Sequence, residues 1–308
     1  MPPNSITPVL SATLDSYLKT WLHEDVGRGD WTTAGLGHLA QRPGQAVWIT
    51  RVPGVVAGLP FASQLFRQLD VDLVFEPLVG EGETCARDTT IARISGNLAA
   101  LLTGERVALN LVMRLSGIAT ATRQYVEQLA DSPAQLVDTR KTTPGLRQLE
   151  KYATRAGGAV NHRMGLDDAV MIKDNHIAAA GGIRAAVDEI RAAIPYPMSV
   201  EVETSSLQEV DEALSCSVDI IMLDNMSPTA MLSAVERIRA KRPAVKIEAS
   251  GNVTLDTLRQ IAATGVDFIS SSAPITRAPW LDISMQIVSS EAVQFGDTHD
   301  FNHRSKRR

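Results

Sequence analysis

Six short apolar runs in the second half of the chain end in residues that can do chemistry. Their tips carry, in order, Asp138-Thr139-Arg140-Lys141, Lys173, Glu203, Asp224, Ser250-Gly251-Asn252 and Ser270-Ser271-Ser272. One charged residue after a strand means little, because every strand must leave the core somewhere. Six successive tips with charge, hydroxyl or Gly-Asn point to one shared face. Arg140, Lys141 and Lys173 are cations, with His162-Arg163 between the first two runs and Arg147 nearby. Gathered without an anion, these groups would repel one another. The planar fork of arginine suits carboxylate and phosphate. Glu203 and Asp224 on later runs suit Mg²⁺ or sugar hydroxyls beside a phosphate. In "EASGNVT" a Gly-Asn turn leads to a helix expected near Thr254, and a helix N-terminus is a ready phosphate site. The composite ligand is a phosphorylated sugar plus a second, carboxylated molecule. Blander readings exist for each piece. Lys173 could be a surface lysine, His162 a structural histidine, and Glu203 and Asp224 partners of lysines in structural ion pairs. A Schiff-base aldolase acting on a sugar phosphate through Lys173 or Lys141 is the competing chemistry.

The elements that must position these residues are legible. "QLVDT", "DAVMIK", "MSVEVE", "VDIIML", "VKIEAS" and "VDFISS" alternate with amphipathic helical segments. Buried strands alternating with helices imply a parallel β/α architecture. No Gly-x-Gly-x-x-Gly follows the first strand, so a β/α barrel with its site on the C-terminal face is expected. Ser206 with Glu209 reads as a capping box, Ser227-Pro228 as an N-cap with proline at the first helical position, and Gly265 as the close of a helix begun near Leu255. Upstream, Leu14, Tyr17, Leu18, Trp21 and Leu22 predict a helix from Ser11 to His23. "AVWITR", "VVAGL", "VDLVFEPLV" and "TTIARIS" predict an antiparallel sheet with a helix at "PFASQLFRQL". A long helix is expected from about Gly104. The expected division is 1–114 as an α/β open-faced sandwich, 115–280 as the barrel, 281–295 returning to the first domain, and 296–308 as a disordered basic tail.

The 308 residues suffice for two domains. A net charge of -5 gives no electrostatic case for nucleic acid or an anionic membrane. Only Cys85 and Cys216 occur, without metal-type spacing, so a reduced cytoplasmic protein is expected. No apolar run reaches membrane-spanning length and no signal segment opens the chain.

"DTRKTTPGLRQLEKYATRAGGAVNHRMGLDDAVMIKDNHI" closely resembles the signature of the quinolinate phosphoribosyltransferase family. "LHEDVGRGDWTT", "LLTGERVALNLVMRLSGIAT", "VEVET", "IIMLDN" and "EASGNVTLDTLRQIAATGVDFIS" are similar as well, and the resemblance runs from about Leu22 to Asp282. It implies an open-faced α/β sandwich joined to an incomplete β/α barrel of the seven-stranded type. It also implies phosphoribosyl transfer from phosphoribosyl pyrophosphate (PRPP) to quinolinate with decarboxylation, giving nicotinate mononucleotide for NAD synthesis. The implied cofactor is Mg²⁺, through Glu203 and Asp224, directly or by way of ribose hydroxyls or water. The implied assembly is a homodimer, or an assembly of dimers, with Arg106 reaching the partner's site. Arg140, His162, Arg163 and Lys173 would hold the quinolinate carboxylates, and Thr139 and Met171 count among the substrate-binding residues. Lys141 would face the PRPP phosphates. Ser250, Gly251, Asn252, Ser271, Ser272 and Ala273 would hold the 5′-phosphate. Lys141, Lys173, Glu203 and Asp224 are the implied catalytic residues. The chain departs from the family at Gly157-Gly158-Ala159, where three glycines are usual, and at Ser270-Ser271-Ser272-Ala273-Pro274-Ile275, where "SVGALT" is usual. Serine in place of that glycine is expected at negative φ. The departure keeps open a molybdate-transport-associated paralogue, or a binding relative without turnover.

Overall fold

The computed structural model describes residues 12–288, and the expected tail at 296–308 lies outside them. The described chain divides into two compact units. One, the sheet unit, comprises 12–54, 58–113 and 281–288. The other, the barrel unit, comprises 55–57 and 114–280. No helix among the described residues is long and apolar enough to cross a membrane.

The described residues begin with helices α1 (Ala12–Val26) and α2 (Trp31–Gly35), then strands β1 (Pro43–Thr50) and β2 (Gly54–Val55). Helix α3 (Leu59–Arg67) and strands β3 (Val74–Pro77), β4 (Thr84–Cys85) and β5 (Thr90–Asn97) follow. Helix α4 runs from Leu98 to Gln128, and the division between units falls between Met113 and Arg114. In the sheet unit the last strand of the described chain, β12 (Ile283–Val288), joins an antiparallel sheet in the order β12-β1-β5-β3. Along β1, Ala46, Trp48 and Thr50 are buried while their neighbours are half-buried, which is the period of a sheet covered on one face. Trp48 anchors that face, with ring centroids 6.1 Å from Phe66 of α3 and 5.5 Å from Phe75 of β3.

Two helices differ from expectation at their ends. Helix α1 continues to Val26. Helix α4 starts at Leu98, six residues before Gly104, directly after β5 and without a loop. The Asn97 side chain explains this, because its Oδ1 accepts the backbone N–H of Ala99 at 2.9 Å. Asparagine can satisfy an orphan N–H at a helix start, so the strand passes straight into the helix.

In the barrel unit the strands and helices alternate. They are β6 (Gln135–Val137), α5 (Arg147–Gly157), β7 (Val170–Ile172), α6 (Asp174–Ala180), α7 (Ile183–Ala193), β8 (Val200–Thr204) and α8 (Leu207–Leu214). Then come β9 (Ile220–Asp224), α9 (Pro228–Lys241), β10 (Lys246–Ser250), α10 (Leu255–Ala262), β11 (Phe268–Ser270) and α11 (Ala273–Thr276). The six strands form one parallel sheet in the order β6-β11-β10-β9-β8-β7. Val160 adds an isolated parallel bridge beside Val137, in the position of a seventh strand. The two N-caps follow the sequence, while α10 is capped at Ala263, two residues before Gly265. Ser206 accepts from Glu209 N, Ser227 accepts from Ala230 N ahead of Pro228, and Gly265 sits at φ +89° just beyond α10. The Glu209 carboxylate, however, turns to Ser205 N.

The sheet is rolled, and one contact proves it. His162, two residues beyond the Val160 bridge to β6, places its Nε2 3.1 Å from the Glu201 carboxylate on β8. Strands β6 and β8 are four spacings apart in the sheet, about 19 Å if it were flat. The outer face of the roll packs an aliphatic core that includes Val200, Val202, Ile221, Leu223, Ile247, Ala249 and Ile269, all buried. The alternate residues of the same strands face inward.

Helix α5 seats against α4 through Gly157. A Cβ there would lie 2.4 Å from Thr122 Cβ and 2.6 Å from the Ala119 carbonyl oxygen. Gly157→Ala should therefore destabilise the protein by about 1–3 kcal/mol, although alanine is the better helix former. Gly35→Ala, with nothing within 4 Å of the added Cβ, should be neutral or slightly stabilising. Urea unfolding of the two variants checks the contrast.

Candidate active site

Inward-facing residues and strand tips enclose a cavity of about 730 Å³ at the C-terminal ends of the strands. Thr139, Arg140, Lys141, His162, Arg163, Met171, Lys173, Glu203, Asp224, Ser250, Gly251, Asn252, Ser271, Ser272 and Ala273 all line it. Arg106 is exposed on α4 and is not among the lining residues. The strand period explains the gathering. Met171 and Lys173, Glu201 and Glu203, Met222 and Asp224, Glu248 and Ser250 are i, i+2 pairs, so each pair shares one face of its strand.

The loop after β6 is held by two buried carboxylates. Asp138 accepts hydrogen bonds from Lys151 Nζ, from Thr154 Oγ1 at 2.8 Å, from Asn161 Nδ2 at 2.6 Å and from the His162 backbone N–H at 2.9 Å. Lys151 is fully buried. Burial pulls its proton affinity below the ordinary lysine value, and the Asp138 charge opposes that. Glu150, also fully buried, accepts from the Thr143 N–H at 2.8 Å, from Thr143 Oγ1 at 2.9 Å and from Arg114 Nη2 at 2.8 Å. The same Nη2 donates to the Ile275 carbonyl at 2.9 Å. Asp138 thus ties the stretch carrying Arg140 and Lys141 to the loop carrying His162 and Arg163. Glu150 and Arg114 tie the Thr143-Pro144-Gly145 turn to the segment after β11.

Cations and carboxylates then face one cavity. Burial, reinforced by the neighbouring charge of Arg140, pushes the Arg163 guanidinium below its ordinary value. Arg140 Nε is buried and has no hydrogen-bond partner among the described residues. Lys173 is ion-paired with Glu203, which is the structural pairing that the sequence reading kept open. Asp224 accepts from Asn225 Nδ2 at 2.6 Å, and Asn225 Oδ1 accepts from Asn252 Nδ2 at 3.1 Å. Gly251 sits at φ +90°, and a Cβ there would fall 2.1 Å from Asn225 Oδ1, so only glycine fits this turn. Ser272 has φ −88°, an ordinary backbone that needs no glycine.

His162 lines the cavity, but both of its ring nitrogens are engaged by the protein. Its Nδ1 accepts the Arg163 backbone N–H at 2.7 Å. Its Nε2 lies 3.1 Å from Glu201 Oε2 and 3.5 Å from Glu248 Oε2. Burial alone would lower its proton affinity, and the two carboxyls outweigh that and raise it. Because Nδ1 accepts an N–H, the ring proton sits on Nε2 and points at the carboxyls. Burial, and next the Glu201 charge, push Glu248 up to about 8. The sequence reading missed Glu201 and Glu248. The signal was present in "VEVET" and "KIEAS", where each glutamate stands two residues before a tip residue and so shares its face. Asn225, which braces Gly251 and Asn252, was missed too and follows Asp224 directly.

The buried pair makes a prediction. Lys151→Met leaves the Asp138 charge buried without its counter-ion, and should cost about 3–5 kcal/mol in urea unfolding. Adding Asp138→Asn removes that charge, so the double variant should recover about 0.5–3 kcal/mol relative to additivity.

Comparisons with known proteins bear on both units. The N-terminal domain model of quinolinate phosphoribosyl transferase matches residues 30–116, and the C-terminal domain model matches 118–286. The probable nicotinate-nucleotide pyrophosphorylase [carboxylating] of Synechocystis sp. is 62% identical over 275 residues, covering 89% of this chain and 92% of that protein. The nicotinate-nucleotide pyrophosphorylase [carboxylating] of Homo sapiens is 38% identical over 291 residues, covering 93% and 96%. The crystal structure of NadC from Streptococcus pyogenes superposes with a TM-score of 0.87 at 38% identity, covering 92% of this chain and 99% of that one. Matched by both domain models and by relatives along nearly its whole length, the chain belongs to the quinolinate phosphoribosyl transferase family.

Proposed function

We propose that the barrel cavity is where phosphoribose passes from PRPP to quinolinate, with loss of pyrophosphate and CO2, giving nicotinate mononucleotide. One observation carries this reading of the site. Two crowded guanidiniums, one with a buried unpartnered N–H, share a cavity with two carboxylates and a glycine-dependent turn. Crowded, half-buried like charges need a counter-charge, and a dicarboxylate supplies it. Arg140 and Arg163 take the quinolinate carboxylates, with Thr139 and Met171 beside them. Lys173, paired with Glu203 in this structure, exchanges that partner for a substrate carboxylate. His162 holds the Arg163 backbone, because its ring nitrogens face the protein. Lys141, exposed at the rim, meets the PRPP phosphates. The turn Ser250-Gly251-Asn252 and the segment Ser271-Ser272-Ala273 take the 5′-phosphate.

Fixed charge does most of the work in this scheme. Pyrophosphate departure leaves an oxocarbenium-like ribose, which the Glu203 and Asp224 carboxylates stabilise. The quinolinate ring nitrogen attacks the ribose carbon that pyrophosphate left, and the positive charge of the resulting pyridinium stabilises the electron pair that stays on the adjacent ring carbon as its carboxylate departs as CO2. Glu203 and Asp224 are hard-oxygen donors suited to Mg²⁺, held directly or through ribose hydroxyls or water. Bound there, Mg²⁺ supplies charge neutralisation at the pyrophosphate.

The working assembly is a homodimer, or an assembly of dimers, in which Arg106 is donated to the partner's cavity. Its exposure on α4 leaves it available for that role. With two buried free cysteines and no membrane-crossing helix among the described residues, we place the protein in the cytoplasm.

Purified protein with quinolinate, PRPP and Mg²⁺, followed for nicotinate mononucleotide, tests the activity. Turnover should be strong with quinolinate and weak with nicotinate. Hydrogen bonds to charged groups contribute roughly 1.5–3 kcal/mol each, so losing one carboxylate should cost at least about tenfold in kcat/KM. Equal turnover of the two acids would defeat the assignment. Arg106→Ala and Lys173→Ala should each be nearly inactive. Mixed with subunit exchange shown by mass, they should regain activity, because one site of the mixed dimer then lacks neither residue. No recovery would remove Arg106 from the partner's site.

A further inference from the structure

We propose that Glu248 is the acid that delivers the proton to the ring carbon from which CO2 has departed. The proposal rests on the phosphoribosyl-transfer reading above. Loss of CO2 leaves an electron pair on that carbon, and the product carries hydrogen there. The reaction therefore consumes one proton at a defined atom inside the cavity. Arg140 and Arg163 cannot supply it, since guanidinium does not give up its proton in this range. Lys173 is committed to a carboxylate throughout, Glu203 in this structure and a quinolinate carboxylate in the reading above.

Glu248 differs from every other carboxyl that lines the cavity. It is almost fully buried at 3% exposure, and its Oε1 has no hydrogen-bond partner among the described residues. It shares one imidazole with Glu201, which is 2% exposed. That imidazole has a single proton to give, on Nε2, because Nδ1 accepts the Arg163 N–H. The shorter contact, 3.1 Å, assigns it to Glu201. Two buried carboxyls this close share a single imidazole proton, so the second is favoured in its acid form. Glu248 is the carboxyl that keeps a proton. The groups facing Glu248 are Glu201 from β8, His162 from the loop after Val160, Ser270 from β11 and Lys173 from the tip of β7. Burial and Glu201 favour the protonated acid, while the other three oppose it and are outweighed.

In the step itself, the Glu248 O–H bond breaks as the new C–H bond forms from the pair that CO2 left behind. Glu248 becomes a carboxylate and regains its proton from water when product leaves. The same three side chains could be read as a metal site, since one nitrogen and two oxygens converge within 4.8 Å. A metal on Nε2 would leave the ring without a proton on either nitrogen, given the N–H that Nδ1 accepts, so the proton reading is the one the geometry favours.

Single-turnover formation of nicotinate mononucleotide, with CO2 release from carboxyl-labelled quinolinate, tests this. The wild-type rate should fall as pH rises through about 8, where Glu248 loses its proton. Glu248→Gln keeps shape and neutrality, and should slow the step at least about tenfold, toward the 10²–10⁴ of general acids, with quinolinate binding little changed and the high-pH fall abolished. Glu201→Gln removes the neighbouring charge and should move that fall to lower pH, an arm that decides the matter even if Glu248→Gln does not fold. An unaltered rate in Glu248→Gln, an unmoved high-pH fall in Glu201→Gln, or a stoichiometric divalent metal lost on either change would overturn the proposal. Absence of CO2 release by the wild-type protein would instead sink the functional reading, and the proposal with it.

Discussion

The Asp138 carboxylate is the constraint from which the rest of the cavity follows. It stands at the end of β6 and gathers four donors from two other segments: Lys151 and Thr154 on α5, and the Asn161 side chain and His162 backbone in the loop after Val160. A buried ion pair contributes little net stability, because desolvation offsets most of the attraction. Its consequence is geometric. With Lys151 fully buried, the charge of Asp138 cannot be met by water, so the three segments take the one arrangement that satisfies it. Arg140 and Arg163 are carried by two of those segments, within repelling distance of each other. A cation cluster of this kind needs a rigid frame, and the frame is a second set of buried charges.

The barrel interior repeats that logic one layer deeper. Most inward positions of a small parallel barrel are filled by branched apolar side chains. Here Glu201 and Glu248 occupy two of them, with His162 inserted between. Two carboxyls around one imidazole carry a charge problem that only a proton resolves, given the Arg163 N–H on the far ring nitrogen. The floor is therefore an acid and the walls are cations, so the cavity combines a place for carboxylates with a proton beside it.

The departures from the family pattern fall where the backbone tolerates them. Ser272 stands at negative φ, so its backbone does not demand glycine. Gly251 is the opposite case, because its left-handed backbone and the Asn225 side chain exclude any Cβ. Glycine content alone does not separate the two positions. The dihedral and the neighbour do.

Much of the barrel was legible in the residues. The six strands, their polar tips and the caps at Ser206 and Ser227 are local features, set by short, nearly continuous apolar runs and by side chains that satisfy orphan N–H groups within a few residues. The start of α4 at Leu98 was local too, through Asn97, in the Gly96-Asn97 pair that closes β5. What the sequence could not convey was partnership. Lys151 and Glu150 lie in a helix that reads as amphipathic and charged, yet both are fully buried, because their partners come from elsewhere in the fold. His162 reads as a substrate ligand until the rolled sheet brings β8 and β10 against its ring. Periodicity assigns a residue to a face and a tip to an end. Which charges meet across the barrel depends on how far the sheet rolls, a property of all six strands packed together that no single segment encodes.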